Sequence, residues 1–189
     1  MNLKRINSND NCFNKAMEIY NGSFPIFERR TIDDQIKALD DTNYHFEVIY
    51  DKEEIVGILL YWDMGRYKYI EHFAIDSKLR GKNYGSRVLK EFCDHNKNVI
   101  LEIDPPIDEI SIKRLNFYLK LGFKLQDFDY THPSYRKGCK RHSLKIMTFN
   151  HNMPKEDYDT FNILLKRDVM KYSEFKDRLN TVSYTHLRA

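Results

Sequence analysis

Residues 79–85 read LRGKNYG, between a strand-like run, YIEHFAID at 69–76, and a helix-like run that opens at Tyr84. Glycine lets a backbone come close to a ligand and adopt a positive φ. The amides from Gly81 to Gly85 can form a concave anion nest, the following helix adds its positive end, and Arg80 and Lys82 add formal charge. Phosphate binding is the chemistry this combination serves. A plain strand-to-helix turn with solvated cations meets the same pattern. Two common nucleotide loops are excluded: the glycines are four apart with Ser86 after the second, which is not GxxxxGK[ST], and GxGxxG is absent. There is no GxSxG nucleophile turn. The seven histidines form no HExxH and no i,i+4 pair, so no metal is expected.

The rest of the composition narrows the setting. A chain of 189 residues suits one domain with a small appendage, and 13 Tyr with 12 Phe argue against disorder. A net charge of +3 with no basic stripe disfavours nucleic acid as a partner. Cys12, Cys93 and Cys139 are widely spaced without a CxxC, which indicates neither zinc nor a redox pair. An odd cysteine count without a signal peptide fits a reducing, cytoplasmic setting. No apolar run has bilayer length, so no membrane partner is expected.

The elements that must position the loop follow from periodicity. Residues 3–6 form a short strand candidate, and 9–24 and 31–39 read as helices. Thr31 followed by Asp34 is a helix-start signature. Three strand-like runs follow at 44–51, 53–64 and 66–76, punctuated by Asp51-Lys52 and Gly65-Arg66. Residues 83–96 place Tyr84, Val88, Leu89, Phe92 and Cys93 on one helical face. A strand at 98–104 stops at Pro105-Pro106. A helix at 110–122 carries Ile112, Leu115 and Leu119 and closes at Gly122. Strands at 123–130 and 142–149 complete the sheet. A long amphipathic helix at 154–175 turns Tyr158, Phe161, Leu165 and Val169 inward. The order implies an α/β fold with a mixed sheet, antiparallel in front and parallel behind.

RGKNYG at 80–85 resembles the [RQ]-x-x-G-x-[GA] motif of the GNAT N-acetyltransferase superfamily, and FYLKLGF at 117–123 is similar to that family's FYxKxGF segment. The resemblance covers residues 1–150 and includes the strand order. It departs at Asn83, where the family motif has its first glycine; Asn is the next-best residue for a left-handed backbone. It implies a partly splayed GNAT-type sheet, with antiparallel N-terminal strands and parallel fourth and fifth strands. Acetyl-CoA would lie with its pyrophosphate over Arg80, Gly81, Lys82, Asn83, Tyr84, Gly85 and Ser86, and its pantetheine along Phe73, Ala74 and Ile75. Residues 151–180 would be a C-terminal helix packed on or appended to that domain. Residues 182–189, within VSYTHLRA, look like a translated sequencing adapter and are expected to be non-native.

The resemblance also implies roles. Tyr118 lies where the family often has its general acid, and a phenol close to a thiolate can protonate it. A fourth-strand amide, at Ala74, would hold the oxyanion. Glu71 on the fourth strand and Glu102 on the fifth are both candidate bases, because a carboxylate between hydrophobic neighbours has a raised pKa. Strand alternation places His72 on the face opposite Glu71, where a structural role is expected. Ser111 falls where many relatives have an asparagine that touches the cofactor. The loop SFPIFERR occupies the acceptor region, where Phe27 lies and where Glu28 could attract an amine and Arg29 or Arg30 an acid. The aromatic stretch 130–138 would border the same cleft. The expected activity is direct acetyl transfer to a small-molecule or peptide primary amine, by a monomer or homodimer. The alternative is a non-catalytic acyl-CoA-binding regulatory module of the same fold.

Overall fold

The computed structural model describes residues 1–174; the expected tail at 182–189 lies outside them. The elements run β1 (Asn2–Arg5), α1 (Phe13–Ser23), α2 (Ile32–Leu39), β2 (Tyr44–Asp51), β3 (Glu54–Asp63), β4 (Lys68–Ile75), α3 (Tyr84–Asn96), β5 (Val99–Ile103), α4 (Glu109–Lys120), β6 (Phe123–Leu125), β7 (Tyr130–His132), β8 (His142–Phe149) and α5 (Lys155–Leu164). One sheet takes the order β1-β2-β3-β4-β5-β8-β6, with β7 on β8. Every ladder is antiparallel except β4–β5, so the parallel part of the sheet is a single strand pair.

Two apolar layers cover the sheet. Phe13, Ala16, Met17 and Tyr20 of α1, Ala38 and Leu39 of α2, and Phe161 of α5 pack on one face with Phe46, Val48, Trp62 and Tyr69. Val88, Leu89, Phe92 and Cys93 of α3 pack on the other with Leu59, Ile70 and Leu101. The Thr31 signature is realised, since its side chain accepts from the Asp34 amide. Gly57 of β3 faces the Ala74 carbonyl so closely that a Cβ there would collide with it.

Three sequence readings are corrected. The run 123–130 is two short strands, β6 and β7, which pair β8 in separate places. The terminal helix leaves α geometry after Leu164: a π-turn spans Leu165–Val169 and a 3-10 turn Met170–Tyr172. Ile112 and Leu119 of α4 are each 44% exposed, so that helix lies on the sheet by a narrower stripe than its apolar residues suggest.

Strand β4 carries the irregularity that matters most. Its ladder with β3 pairs Leu60 with His72 and Tyr61 with Ile70, so Glu71 is an extra residue, a bulge. A bulge breaks the two-residue alternation of side chains. Glu71 and His72 therefore project from the same face, with Glu71 Oε2 3.7 Å from His72 Nδ1. The expectation of opposite faces fails for this reason.

Candidate active site

The β4–β5 ladder has only three rungs, ending at Ile70↔Leu101. Beyond it the strands part, and a cleft of about 960 Å³ opens between Glu71–Ile75 on one side and Glu102–Asp104 on the other. The cleft reaches the 80–85 loop, and Arg80, Gly81, Asn83, Tyr84, Gly85 and Ser86 border it; Lys82 lies off its wall. The loop turns through two left-handed residues, Gly81 at φ 81° and Asn83 at φ 65°. Asn83 thus holds the conformation expected of the residue that replaces a glycine. Arg80 Nε donates to the Ile75 carbonyl at 3.3 Å, and the Tyr84 hydroxyl to Asp51 at 3.0 Å. A Cβ on Gly85 would stand 3.6–3.7 Å from Ile75, Phe117 and Phe73, so this glycine forms part of the floor.

The two faces of the sheet bring different chemistry to the gap. Phe73, Phe117 and Tyr118 pack with the α3 layer. The Tyr118 ring lies edge-on to Phe117 and Phe123, and burial pushes its hydroxyl up to about 12. No hydrogen bond to that hydroxyl is formed among the described residues.

On the other face, Glu71 is almost fully enclosed, with 1% of its side chain exposed. Arg30 donates to both its oxygens, Nη1 to Oε2 at 2.8 Å and Nη2 to Oε1 at 2.6 Å. Trp62 Nε1 donates to Oε2 at 3.2 Å, and the Tyr135 hydroxyl to Oε1. Burial alone would push this carboxyl up. The Arg30 charge and the hydrogen bonds outweigh it and hold the group well below the usual carboxylate range. The raised pKa expected at Glu71 is therefore corrected, because the sequence did not reveal its cationic partner. Tyr44, Trp62 and Tyr135 surround the guanidinium at 5.4, 5.6 and 4.8 Å from their ring centres.

Glu102 differs. Its Oε2 accepts from the Tyr69 hydroxyl at 3.0 Å and its Oε1 from the Tyr130 hydroxyl; no cation pairs with it among the described residues. Both phenols are raised well above their ordinary value, by burial first and then by the Glu102 charge, so they remain donors.

Another wall of the cleft comes from the α1–α2 loop and the β7–β8 loop. Phe24, Phe27 and Glu28 border the cleft with His132, Pro133, Ser134 and Tyr135. Phe27 is 39% exposed and meets the His142 ring edge-on at 5.5 Å. His72 Nε2 donates to the Glu28 carbonyl at 2.8 Å, and Arg136 donates to the carbonyls of Arg29 and Arg30 at 2.9 and 2.7 Å. These bonds fix the loop over the gap. Burial and the nearby Asp104 push the Glu28 carboxyl up. The His142 ring lies between them, Nδ1 3.6 Å from Glu28 and Nε2 3.2 Å from Asp104. Each nitrogen faces a different carboxylate, and one donor atom from each of Glu28, Asp104 and His142 lies within 4.8 Å of the others.

Two of the expected site residues, Ser111 and Arg29, do not line the cleft. Ser111 caps α4: its amide donates to Asp108 Oδ1 at 2.8 Å and its hydroxyl accepts from the Asp108 amide at 3.1 Å. Arg29 turns away, with its guanidinium on Asn21. The sequence reading passed over Arg30 as a buried partner, and also Tyr69, Asp104 and His142; it placed the stretch 130–138 at the cleft but gave Tyr130 and Tyr135 no role on the carboxylates. Nothing local distinguishes Arg30 from Arg29; the difference comes from which of them meets β4.

Among the described residues no helix is long and apolar enough to cross a membrane. No curated protein matches the chain. Among solved structures, a putative GNAT-family acetyltransferase from Bacteroides thetaiotaomicron is 29% identical, with a TM-score of 0.85 over 90% of this chain and 98% of that one. A Bacillus subtilis acetyltransferase in complex with CoA is 14% identical, with a TM-score of 0.52 over 79% of this chain and 97% of that one. A mutant spermidine N-acetyltransferase from Vibrio cholerae is 14% identical, with a TM-score of 0.58 over 79% of this chain and 94% of that one. These last two share the fold. The pattern of the Acetyltransferase (GNAT) family matches residues 12–123, more than half of the sequence. With the parted β4 and β5, the left-handed loop before α3 and this match together, the chain belongs to the GNAT acetyltransferase family.

Proposed function

We propose that the protein moves an acetyl group from acetyl-CoA to a primary amine by direct attack, with both substrates bound at once. The observation that carries this reading is the parting of β4 and β5 just past Ile70↔Leu101, with Glu102 on one face of the gap and Tyr118 on the other. The residues present suit the cofactor. Gly81 and Asn83 carry the loop through left-handed conformations beside Arg80 at the cleft, and the free edge of β4 at Phe73, Ala74 and Ile75 offers peptide groups to a pantetheine chain. When bound, acetyl-CoA supplies the activated thioester carbonyl.

Glu102 takes the ammonium proton, and the freed amine forms the N–C bond. A β4 amide holds the oxyanion, and Tyr118 donates its proton to sulfur as the C–S bond breaks; the nitrogen sheds its second proton to solvent as the intermediate collapses, and solvent returns a proton to the Tyr118 oxygen. Glu71 is not the base in this reading. Its oxygens are occupied by Arg30, Trp62 and Tyr135, and a carboxylate held so far into its ionised form is a weak proton acceptor. Phe27 and Glu28 meet the acceptor.

Thermal unfolding with acetyl-CoA, followed by thiol release in the presence of an amine panel, tests the reading. Acetyl-CoA raises the melting temperature through mass action, Gly85→Asp abolishes the rise, and thiol appears only with an accepting amine. A rise that survives in Gly85→Asp places the phosphates elsewhere. A rise without thiol release for any amine favours the non-catalytic acyl-CoA-binding module.

A further inference from the structure

Glu102 receives exactly one phenol on each oxygen, and those phenols come from distant parts of the chain. Tyr69 is on β4, while Tyr130 is on β7, beyond the residues that match the family pattern. Both rings lean on one side chain. Phe161 of α5, 1% exposed, packs edge-on against Tyr69 at 5.2 Å and tilted against Tyr130 at 6.2 Å. Tyr158, one turn earlier, meets the Tyr130 ring at 6.4 Å. The C-terminal segment therefore packs behind the carboxylate from outside the family core.

We propose that Tyr69 and Tyr130 are positioning residues for Glu102, and that Phe161 of the C-terminal helix holds that pair of phenols in place. This rests on the reading of Glu102 as the base. A carboxylate has about four acceptor sites; the two phenols fill one on each oxygen and leave the others for the incoming ammonium. Two fixed donors, one on each oxygen, orient the group. The groups facing Glu102 are Tyr69 from β4, Tyr130 from β7 and Tyr135 from the β7–β8 loop, and Tyr135 in turn contacts the Glu71–Arg30 pair. Strand β8 opposes it with Ile146, and α5 backs its phenols with Phe161, both apolar. Arg30 is committed to Glu71, and among the described residues no cation pairs with Glu102.

The experiment compares kcat and KM of the parent, Tyr130→Phe, Phe161→Ala, Phe161→Leu and Glu102→Gln, with the melting temperature and acetyl-CoA-induced shift of each. Tyr130→Phe keeps the ring and removes the donor. Its kcat falls about 10-fold, on the scale of a lost positioning contact, while KM for acetyl-CoA stays put. Phe161→Ala lowers kcat in the same way at unchanged KM, and Phe161→Leu restores most of it. Glu102→Gln losing turnover while Tyr130→Phe and Phe161→Ala keep the parent kcat overturns the clamp and leaves the base reading standing. A lower melting temperature in Phe161→Ala with an unmoved kcat reduces Phe161 to packing and overturns its part. Glu102→Gln at the parent rate overturns the base reading itself, and the clamp with it.

Discussion

Glu71 and Glu102 stand at matched positions, each the first residue beyond the last rung Ile70↔Leu101 of the parting strands, yet their surroundings are opposite. Glu71 is locked to a buried guanidinium, while Glu102 is held only by neutral phenols. Two carboxylates at the mouth of the same gap are thereby separated into a structural anion and a candidate base. The environments decide this, since the residue type is identical.

Breaking the Arg30–Glu71 pair from one side is expected to destabilise the fold. Removing one partner of a buried ion pair leaves the other uncompensated, so Arg30→Met costs about 3–5 kcal/mol in urea unfolding at pH 7. The folded pKa of Glu71 lies below its unfolded value. Its contribution is therefore present above the unfolded carboxylate value and fades as pH falls below about 4 toward the folded one. The difference between the parent and Glu71→Gln should shrink on going from pH 7 to pH 3. An undiminished difference at pH 3 would mean that the carboxylate charge is not what the pair contributes.

Activity separates the same two residues differently. Glu102→Gln should lower turnover about 10²-fold, the scale of a general base, most strongly at low pH where the amine is protonated. Raising the pH should partly rescue it. Glu71→Gln should show a smaller loss without the pH-rescued pattern. Initial rates from pH 6 to 9.5 check this, and a rescued defect confined to Glu71→Gln reverses the assignment.

Tyr118→Phe keeps the ring against Phe117 and Phe123 but removes the proton. Turnover should fall about 10²-fold, with little change in acetyl-CoA affinity. Because burial pushes this phenol up to about 12, it stays protonated through the working range. Loss of Tyr118 should thus lower the plateau of the parent profile without removing a basic limb below pH 10. Parent-rate turnover in Tyr118→Phe would mean that the thiolate leaves unassisted or by way of water.

Asn83 sits at φ 65°. Asn83→Gly should bind acetyl-CoA at least as tightly as the parent. Asn83→Val should bind more weakly, because a β-branched residue resists the left-handed region; that conformation costs an ordinary L-residue about 1–2 kcal/mol. Calorimetric titration with acetyl-CoA measures it, and equal affinity in all three would show that the left-handed turn does not hold the phosphates.

Much of this protein was legible in the one-dimensional chain, and the legible parts are local. The left-handed turn at Asn83, the Thr31 cap and the buried face of α3 depend on residues a few positions apart, so backbone preference and hydrophobic period specify them. The family was likewise legible, because the two motif resemblances at 80–85 and 117–123 each sit in consecutive residues. What decided the chemistry is long-range. The bulge that turns Glu71 and His72 to one face exists only when β4 pairs with β3. The guanidinium that lowers Glu71 comes from 41 residues upstream, and the phenol on Glu102 from 28 residues downstream. Ser111 and Arg29 look like site residues in sequence, yet tertiary contacts assign one to a helix cap and turn the other outward. A carboxylate's basicity depends on the charges and donors within a few ångströms; the sequence determined that two carboxylates stand at the parting strands, and only folding determined which of them is left without a cation.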